Sequence, residues 1–558
     1  MIAFDDITAP RPVYDETAAR YRVFEAELSA ASSGEAAAEV VRRWDALRRE
    51  LETWSNLVNL RFSQDTANEA FRKERDYRDE IAPRLTDLDV RVKRLLLAHA
   101  RRADLEKQFG PHAFALWECD VLAFDPAIQE PLVRESKLCA EYDQMIAGAK
   151  LAFRGETLNF SDLVKYREHE DRQIRHEAEA VRWQWFAENR AQLDHLYDEM
   201  VRLRHGMART LGYDGYVALG YRQMNRTDYG PADVARFRAE VREHLVPLAA
   251  ELRGRQAAAL GVERLMLWDE GVEDLRGNPV PQGDHDWMLD RATEMFDAMG
   301  SELGGFFRLM RGGKLMDLKN RDGKRFGGFC TSFPTHGVPY IFGNFNGTKQ
   351  DVHVFTHEMG HAYQAWRSRG KVLMDTLWPT YEAAEIHSMS LERLTAPHME
   401  KFFGDDAERF RRIDLAQALT FIPYGVAVDH FQHLVYERPE ASPAERHAMW
   451  QEVERMYLPW RDYGGLPHAS EGGLWQFQRH IYLRPFYYID YTLAQTCALQ
   501  FWARAQRDVK DAMAAYHALC ARGGEAPFQD LVRSAGLASP FEAGCLKGVV
   551  ENARRALN

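Results

Sequence analysis

Along most of the chain, apolar residues return every three or four positions, the period of one helix face. Leu85, Leu88, Val92, Leu95 and Leu96 form one such stripe, which Gly110-Pro111 stops. Val234, Phe237, Val241, Leu245, Leu248 and Leu252 form another after Gly230-Pro231. Charged residues fill the other faces, many of them four apart, as on packing helices with one wet side. Strand signals are few. The best are 327–333 and 338–345, short apolar and aromatic runs with turn formers at their ends. Gly277 to Asp284 carries two prolines and two glycines and reads as a connector. Residues 30–39, rich in Ala, Ser and Glu, suit a loop or a helix start. No internal repeat or low-complexity stretch occurs. The pattern predicts a mainly α protein. Arg204-His205-Gly206 interrupts it, which divides the chain into an N-terminal helical part, 1–205, and a second part, 206–558.

One stretch carries chemistry. His357-Glu358-Met359-Gly360-His361 is an HExxH sequence. Histidines four apart share one helix face, so both imidazoles can reach one Zn²⁺. Glu358, beside the first histidine, can take a proton from water at that metal. With 20 His in 558 residues, such a pattern arises by chance in roughly one chain in twenty, so its surroundings matter. Val352, Val354 and Phe355 precede it, and Ala362, Tyr363, Ala365 and Trp366 follow. Few charges lie outside the motif, which suits a buried active-site helix. A catalytic zinc needs a third protein ligand. The metzincin extension requires Gly at 364 and His at 367; Gln364 and Arg367 exclude it. The other source is a glutamate on a second helix. Tyr381 to Glu392, after Pro379-Thr380, reads as that helix. Glu382, Glu385 and Glu392 share roughly one face, with no Lys or Arg between them. Ligand chemistry alone leaves Glu382, Glu385 and His387 as candidates.

HEMGH, then Glu385 three residues before Ser388, then Glu392 seven residues further on, resembles the thimet oligopeptidase and oligoendopeptidase F family. Ile386-His387 stand where that family has Ala-Pro, a departure. The resemblance covers about 327–495 closely and residues 1–200 only in general character. It implies that His357, His361 and Glu385 hold one zinc ion per chain, and that Glu358 is the general base. Glu392 would hold a ligand histidine by its other ring nitrogen. It also implies a fold: a large two-part helical assembly around a deep substrate channel, with a small antiparallel sheet beside the HExxH helix. The second part, 206–558, would be catalytic.

The strand at 337–345 lies just before the motif helix. In peptidases of this kind such a strand is the exposed edge along which substrate pairs, so the resemblance points to Gly343 and Asn344 as substrate-binding. From the residues alone an ordinary core strand fits equally well. His480 to Tyr491 contains four tyrosines and a histidine. Aromatic packing explains many such clusters. In the family, a His and several Tyr behind a glycine-containing loop bind substrate and donate to the developing oxyanion. Tyr463-Gly464-Gly465 and Gly472-Gly473 supply the glycines. On that basis Tyr488 and His480 join Glu358 as catalytic residues, and Tyr491 binds substrate.

The rest of the composition fits this reading. A hydrophobic fraction of 46% builds a substantial core. The net charge of −12 and a pI near 6.0 argue against a nucleic-acid partner. No run of about 18 apolar residues predicts a membrane span. Met1-Ile2-Ala3-Phe4-Asp5-Asp6 is not a signal peptide, and six scattered cysteines without a CxxC are not a disulfide framework. Both point to the cytoplasm. Cys330 is expected to be a buried, inert thiol. The combined expectation is a zinc endopeptidase acting on short unstructured oligopeptides. Two alternatives remain at this stage. One is a zinc carboxypeptidase of similar architecture, with Arg484 as the cationic anchor. The other is a non-catalytic helical binding protein with a relic metal site, against which the intact His357, Glu358, His361 and Glu385 set argues.

Overall fold

The computed structural model describes residues 2–557 except 274 and 322. Both apolar stripes are helical. The first lies in the helix Glu69–Ala98, and the second runs through Pro231–Glu240 and Val246–Ala259. Between those two, Val241–Leu245 widens into a π turn. Pro247 has no N–H for the carbonyl of Glu243, and the wider turn lets the helix continue past it. The first stripe ends well before Gly110-Pro111, which instead separates the helices Arg102–Phe109 and Pro111–Ala123, with Gly110 at φ +88°.

Arg204-His205-Gly206 lies inside one unbroken helix, Arg190–Thr210, so no linker occurs there. The apparent interruption has another cause. Arg204 is buried and donates to Glu135 (2.6 Å), the Tyr436 hydroxyl (2.9 Å) and the Tyr482 carbonyl. A buried, fully partnered arginine looks like a solvated position in the sequence. N-terminal segments also reach well into the rest of the chain. Arg48, on the helix Gly34–Gln64, pairs with both oxygens of Asp375 at 2.6 and 2.7 Å. The Phe4 ring packs 4.6 Å from that of Tyr340. The largest apolar core correspondingly runs from Ile7 to Ala553.

Two small sheets interrupt the helices. Strands β1 (Leu151–Phe153) and β2 (Glu156–Leu158) form an antiparallel hairpin, turned by Arg154 and Gly155 at φ +48° and +86°. Three residues per strand are too few to show a period, so the pattern does not reveal them. Strands β3 (Met316–Lys319), β4 (Phe329–Phe333) and β5 (Val338–Phe345) form the second sheet in the order β3-β5-β4. The antiparallel pair expected beside the motif helix is β4 with β5; β3 adds to it in parallel.

The resemblance implies an exposed edge at 337–345, and here the structure corrects it. β5 is the middle strand, paired on both sides, and its first six residues are buried. A near-continuous apolar run is what a strand covered on both faces requires. Gly343 and Asn344 therefore do not lie on a free edge. The Asn344 amide donates to the carbonyls of Arg325 and Gly327, each at 2.8 Å, and ties down the loop that enters β4. The edge next to the motif helix is β4. A Cβ on Gly328 would stand 2.9 Å from Val354 and 3.4 Å from a Glu358 oxygen. Further along, the Asn56 amide donates to the Ser332 carbonyl (3.0 Å) and covers that end. Among the described residues, no strand pairs with the segment from Gly328 to Thr331 on its outer side. No described helix is long and apolar enough to cross a membrane.

Candidate active site

The motif occupies the helix Lys349–Ser368, and the three glutamates occupy Tyr381–Thr395. Gly360 decides how closely these helices approach. A Cβ there would stand 2.5 Å from the His387 carbonyl oxygen and 2.6 Å from Ser388 Cα, closer than atoms can come. Only glycine lets the helices meet this tightly, and the contact brings Glu385 to the histidines. The helix Tyr488–Ala505 packs against the glutamate helix from the other side.

Among the described residues, His357, His361 and Glu385 are the one set of three ligand-type side chains that converges. The two imidazole centroids are 5.0 Å apart. Glu385 Oε2 lies 3.3 Å from His357 Nε2 and 3.4 Å from His361 Nε2. Donors on a tetrahedron with arms of about 2.0–2.1 Å stand about 3.3–3.4 Å apart, so Glu385 Oε2 stands at a zinc-ligand spacing from each imidazole nitrogen, and all three atoms lie within 4.8 Å of one another. Their partners fix them. His357 Nδ1 donates to Glu392 Oε1 at 2.6 Å, which leaves Nε2 facing the site with its lone pair. Ser388 Oγ donates to Glu385 Oε2 (2.9 Å), and the Tyr487 hydroxyl donates to Glu385 Oε1 (2.5 Å). His361 Nδ1 is buried without a partner among the described residues.

The electrostatics also call for a cation. Burial disfavours charge on His357, yet its bonds to Glu385 and Glu392 outweigh burial and raise its pKa well above the usual value. Burial raises the Glu385 carboxyl, and His361 and His357 outweigh it and hold the group well below the usual range. Two buried carboxylates, Glu385 and Glu392, thus face His357 and call for positive charge, which a divalent ion supplies while leaving Nε2 its lone pair. Replacing Glu392 by glutamine is expected to weaken metal binding by about 10–100-fold, the usual cost of losing a partner behind a ligand. Competition with a metal indicator checks this.

Glu358 is not part of the convergent set. It is 6% exposed, and its Oε2 has no partner among the described residues. Burial raises its pKa. It is a buried carboxyl group within electrostatic reach of both histidines, with an acceptor free among the described residues. Cys330, on β4, is half-buried rather than fully buried; desolvation and then the charge of Glu358 push its thiol well above the usual range. It is no thiolate. The two other ligand candidates lie elsewhere. Glu382 is buried against Asp490 and Arg226, and burial followed by Asp490 raises its pKa well above the usual range. His387 is buried with both ring nitrogens unpartnered among the described residues, outside the convergent set.

A cavity of about 320 Å³ opens beside His357, with Tyr488, Tyr491 and His480 in its wall. Their rings lie 5.2–5.7 Å apart. Burial holds His480 near pKa 4, so it is neutral. It stands 3.4 Å from the Tyr491 hydroxyl and 2.8 Å from the Gln478 amide. The Tyr488 hydroxyl has no hydrogen bond among the described residues. The turn that aims these rings is held from behind. Phe486 sits at φ +63°, its N–H donates to Gln432 (3.0 Å), and its carbonyl accepts from Arg226, which also donates to Asp490 at 2.8 Å. The residue that the sequence does not single out is Tyr487. Nothing in the run of tyrosines marks it, because its contact with Glu385 depends on that turn.

Two histidines and a glutamate from a second helix, with a free carboxylate beside them, are the donor set of a metallopeptidase. The comparisons give the same class. Residues 4–124 match the peptidase M3 N-terminal domain, and residues 165–276 and 291–551 match peptidase family M3. The chain belongs to peptidase family M3. It is a metalloendopeptidase of oligopeptides. Among solved structures, it is similar to PZ peptidase A with an inhibitor, at 42% identity and a TM-score of 0.97 over 100% of this chain and 99% of that one. A protein provisionally named oligoendopeptidase F gives 44%, 0.97, 100% and 99%. Another such protein, from Bacillus anthracis, gives 39%, 0.92, 100% and 98%. No curated protein matches the sequence.

Proposed function

We propose that the metal is a single zinc ion held by His357, His361 and Glu385, and that this chain cuts internal bonds of short, unstructured peptides there. The convergence of the three donor atoms, with Glu385 Oε2 3.3 and 3.4 Å from the two Nε2 atoms, carries this reading. Zinc, when bound, supplies a Lewis acid that polarises a carbonyl and makes water more acidic. Glu358 takes the proton of the attacking water and delivers it to the leaving amine. The outer edge of β4 as far as Thr331, with Gly328 just before it, pairs with the substrate backbone, and pairing through main-chain groups suits many sequences. The Tyr488 hydroxyl, unpaired in the protein, donates to the carbonyl oxygen as it gains charge. His480 Nδ1 accepts from the Gln478 amide, so its Nε2–H donates to the Tyr491 hydroxyl and keeps that ring in place. Glu392 holds His357.

Replacing Tyr488 by phenylalanine is expected to lower kcat about 100-fold with little change in KM, because a donor to the transition state is lost. Steady-state kinetics on a quenched peptide read this. The function itself is tested with an oligopeptide capped at both ends. Mass spectrometry should find internal fragments, whereas release of single terminal residues from uncapped peptides alone would overturn the reading. The six cysteines are free, which supports a reducing compartment and placement in the cytoplasm.

A further inference from the structure

Around the site most arginines are matched by carboxylates. Arg226 donates to Asp490 at 2.8 Å, Arg479 to both oxygens of Asp143 at 2.7 Å, and Arg393 reaches Asp414 at 2.7 Å. Arg484 differs. Its guanidinium donates to the Tyr381 hydroxyl and lies 5.0 Å over that ring, and no carboxylate pairs with it among the described residues. The side chain is exposed, lies over Tyr381, and has the phenols of Tyr487 and Tyr491 within electrostatic reach. A cation lying on an aromatic ring in this way has lost part of its hydration without gaining an anion. It is also close to the reacting centre. The Tyr381 and Tyr487 rings are 5.0 Å apart, and the Tyr487 hydroxyl donates to the metal-site residue Glu385 at 2.5 Å.

We infer that Arg484 is a substrate-binding residue that receives a carboxylate of the peptide, so that substrates with an anionic group a few residues from the cut bond are preferred. A guanidinium fork and a carboxylate match in two parallel hydrogen bonds, and the surrounding phenols can donate to the same anion. The carboxylate has two sources: the free C-terminus of a short peptide, or an Asp or Glu side chain. The inference rests on the endopeptidase reading above.

Two peptide pairs separate the sources. One quenched peptide is made as the free acid and as the amide; its amide form is also made with Asp or Asn at one internal position near the cut. The full-length wild type, Arg484→Gln and Arg484→Lys are assayed on all four, with the zinc content of each protein measured. The expected result is a preference of at least about tenfold in kcat/KM for the charged member of one pair, mostly through KM. Arg484→Gln should bring that ratio to about one, Arg484→Lys should restore part of it, and zinc content should not change. The pair that responds identifies the source. Ratios near one in the wild type overturn the inference. So does an Arg484→Gln protein that slows on every peptide with its ratio preserved, which would mean that Arg484 only holds Tyr381 and Tyr487. If the zinc-loaded wild type cuts none of the peptides, the endopeptidase reading falls and takes this inference with it.

Discussion

Glutamine in place of Glu358 is expected to lower kcat by about 1,000-fold and to leave zinc content near one per chain. General acid–base catalysis contributes about 10²–10⁴-fold, and the amide can neither take nor return a proton at this pH. The two outcomes come apart because of where Glu358 stands. It lies beside the donors but outside the convergent set of His357, His361 and Glu385. Glutamine also keeps the shape that stands beside Gly328. Metal analysis and kinetics on one preparation check both halves. Retained activity would show that another group accepts the proton; lost zinc would show that Glu358 helps to hold it.

Glutamine in place of Glu385 should do the reverse and remove the metal. Zinc-binding peptides with four ligands bind with about 10–16 kcal/mol, so one ligand is worth about 3–4 kcal/mol, or about 10²–10³-fold in affinity. Among the described residues Glu385 is the sole donor from the second helix, and its carboxylate is held in the charged form beside both histidines. The variant should purify with far less than one zinc, and activity should fall in proportion. Circular dichroism distinguishes this from misfolding, since the apolar contacts of the two helices remain. A variant that keeps one zinc at wild-type affinity would remove Glu385 from the ligand set.

The sequence made the chemistry legible and left its arrangement less so. HExxH is readable because metal ligation fixes the spacing of two histidines on a helix. Glu385 was not fixed by that argument. Glu382, Glu385 and His387 lie within one and a half turns, and which of them faces the histidines depends on how the helices cross. The close approach at Gly360 sets that crossing. The family resemblance was needed to choose. The two main strands were legible from their apolar runs, but their order was not: β5 sits in the middle because β3, a strand of four residues with one of them buried, adds to its other side. That is why Gly343 and Asn344 suggested an edge that β4 provides. Arg204 misled in the opposite way, since a buried arginine resembles a solvated one until its partners, 69 to 278 residues away, are known. Tyr487 and the Arg226–Asp490 pair were hidden for the same reason.

The central claim is that one zinc at His357, His361 and Glu385 makes this chain an endopeptidase. The most direct measurement strips the metal, then titrates zinc back while following both bound zinc and internal cleavage of a doubly capped peptide. Cleavage that rises in step with bound zinc and saturates at one ion per chain is the expected result. Full cleavage by the metal-free protein, or one tightly bound zinc with no internal cleavage, would contradict it.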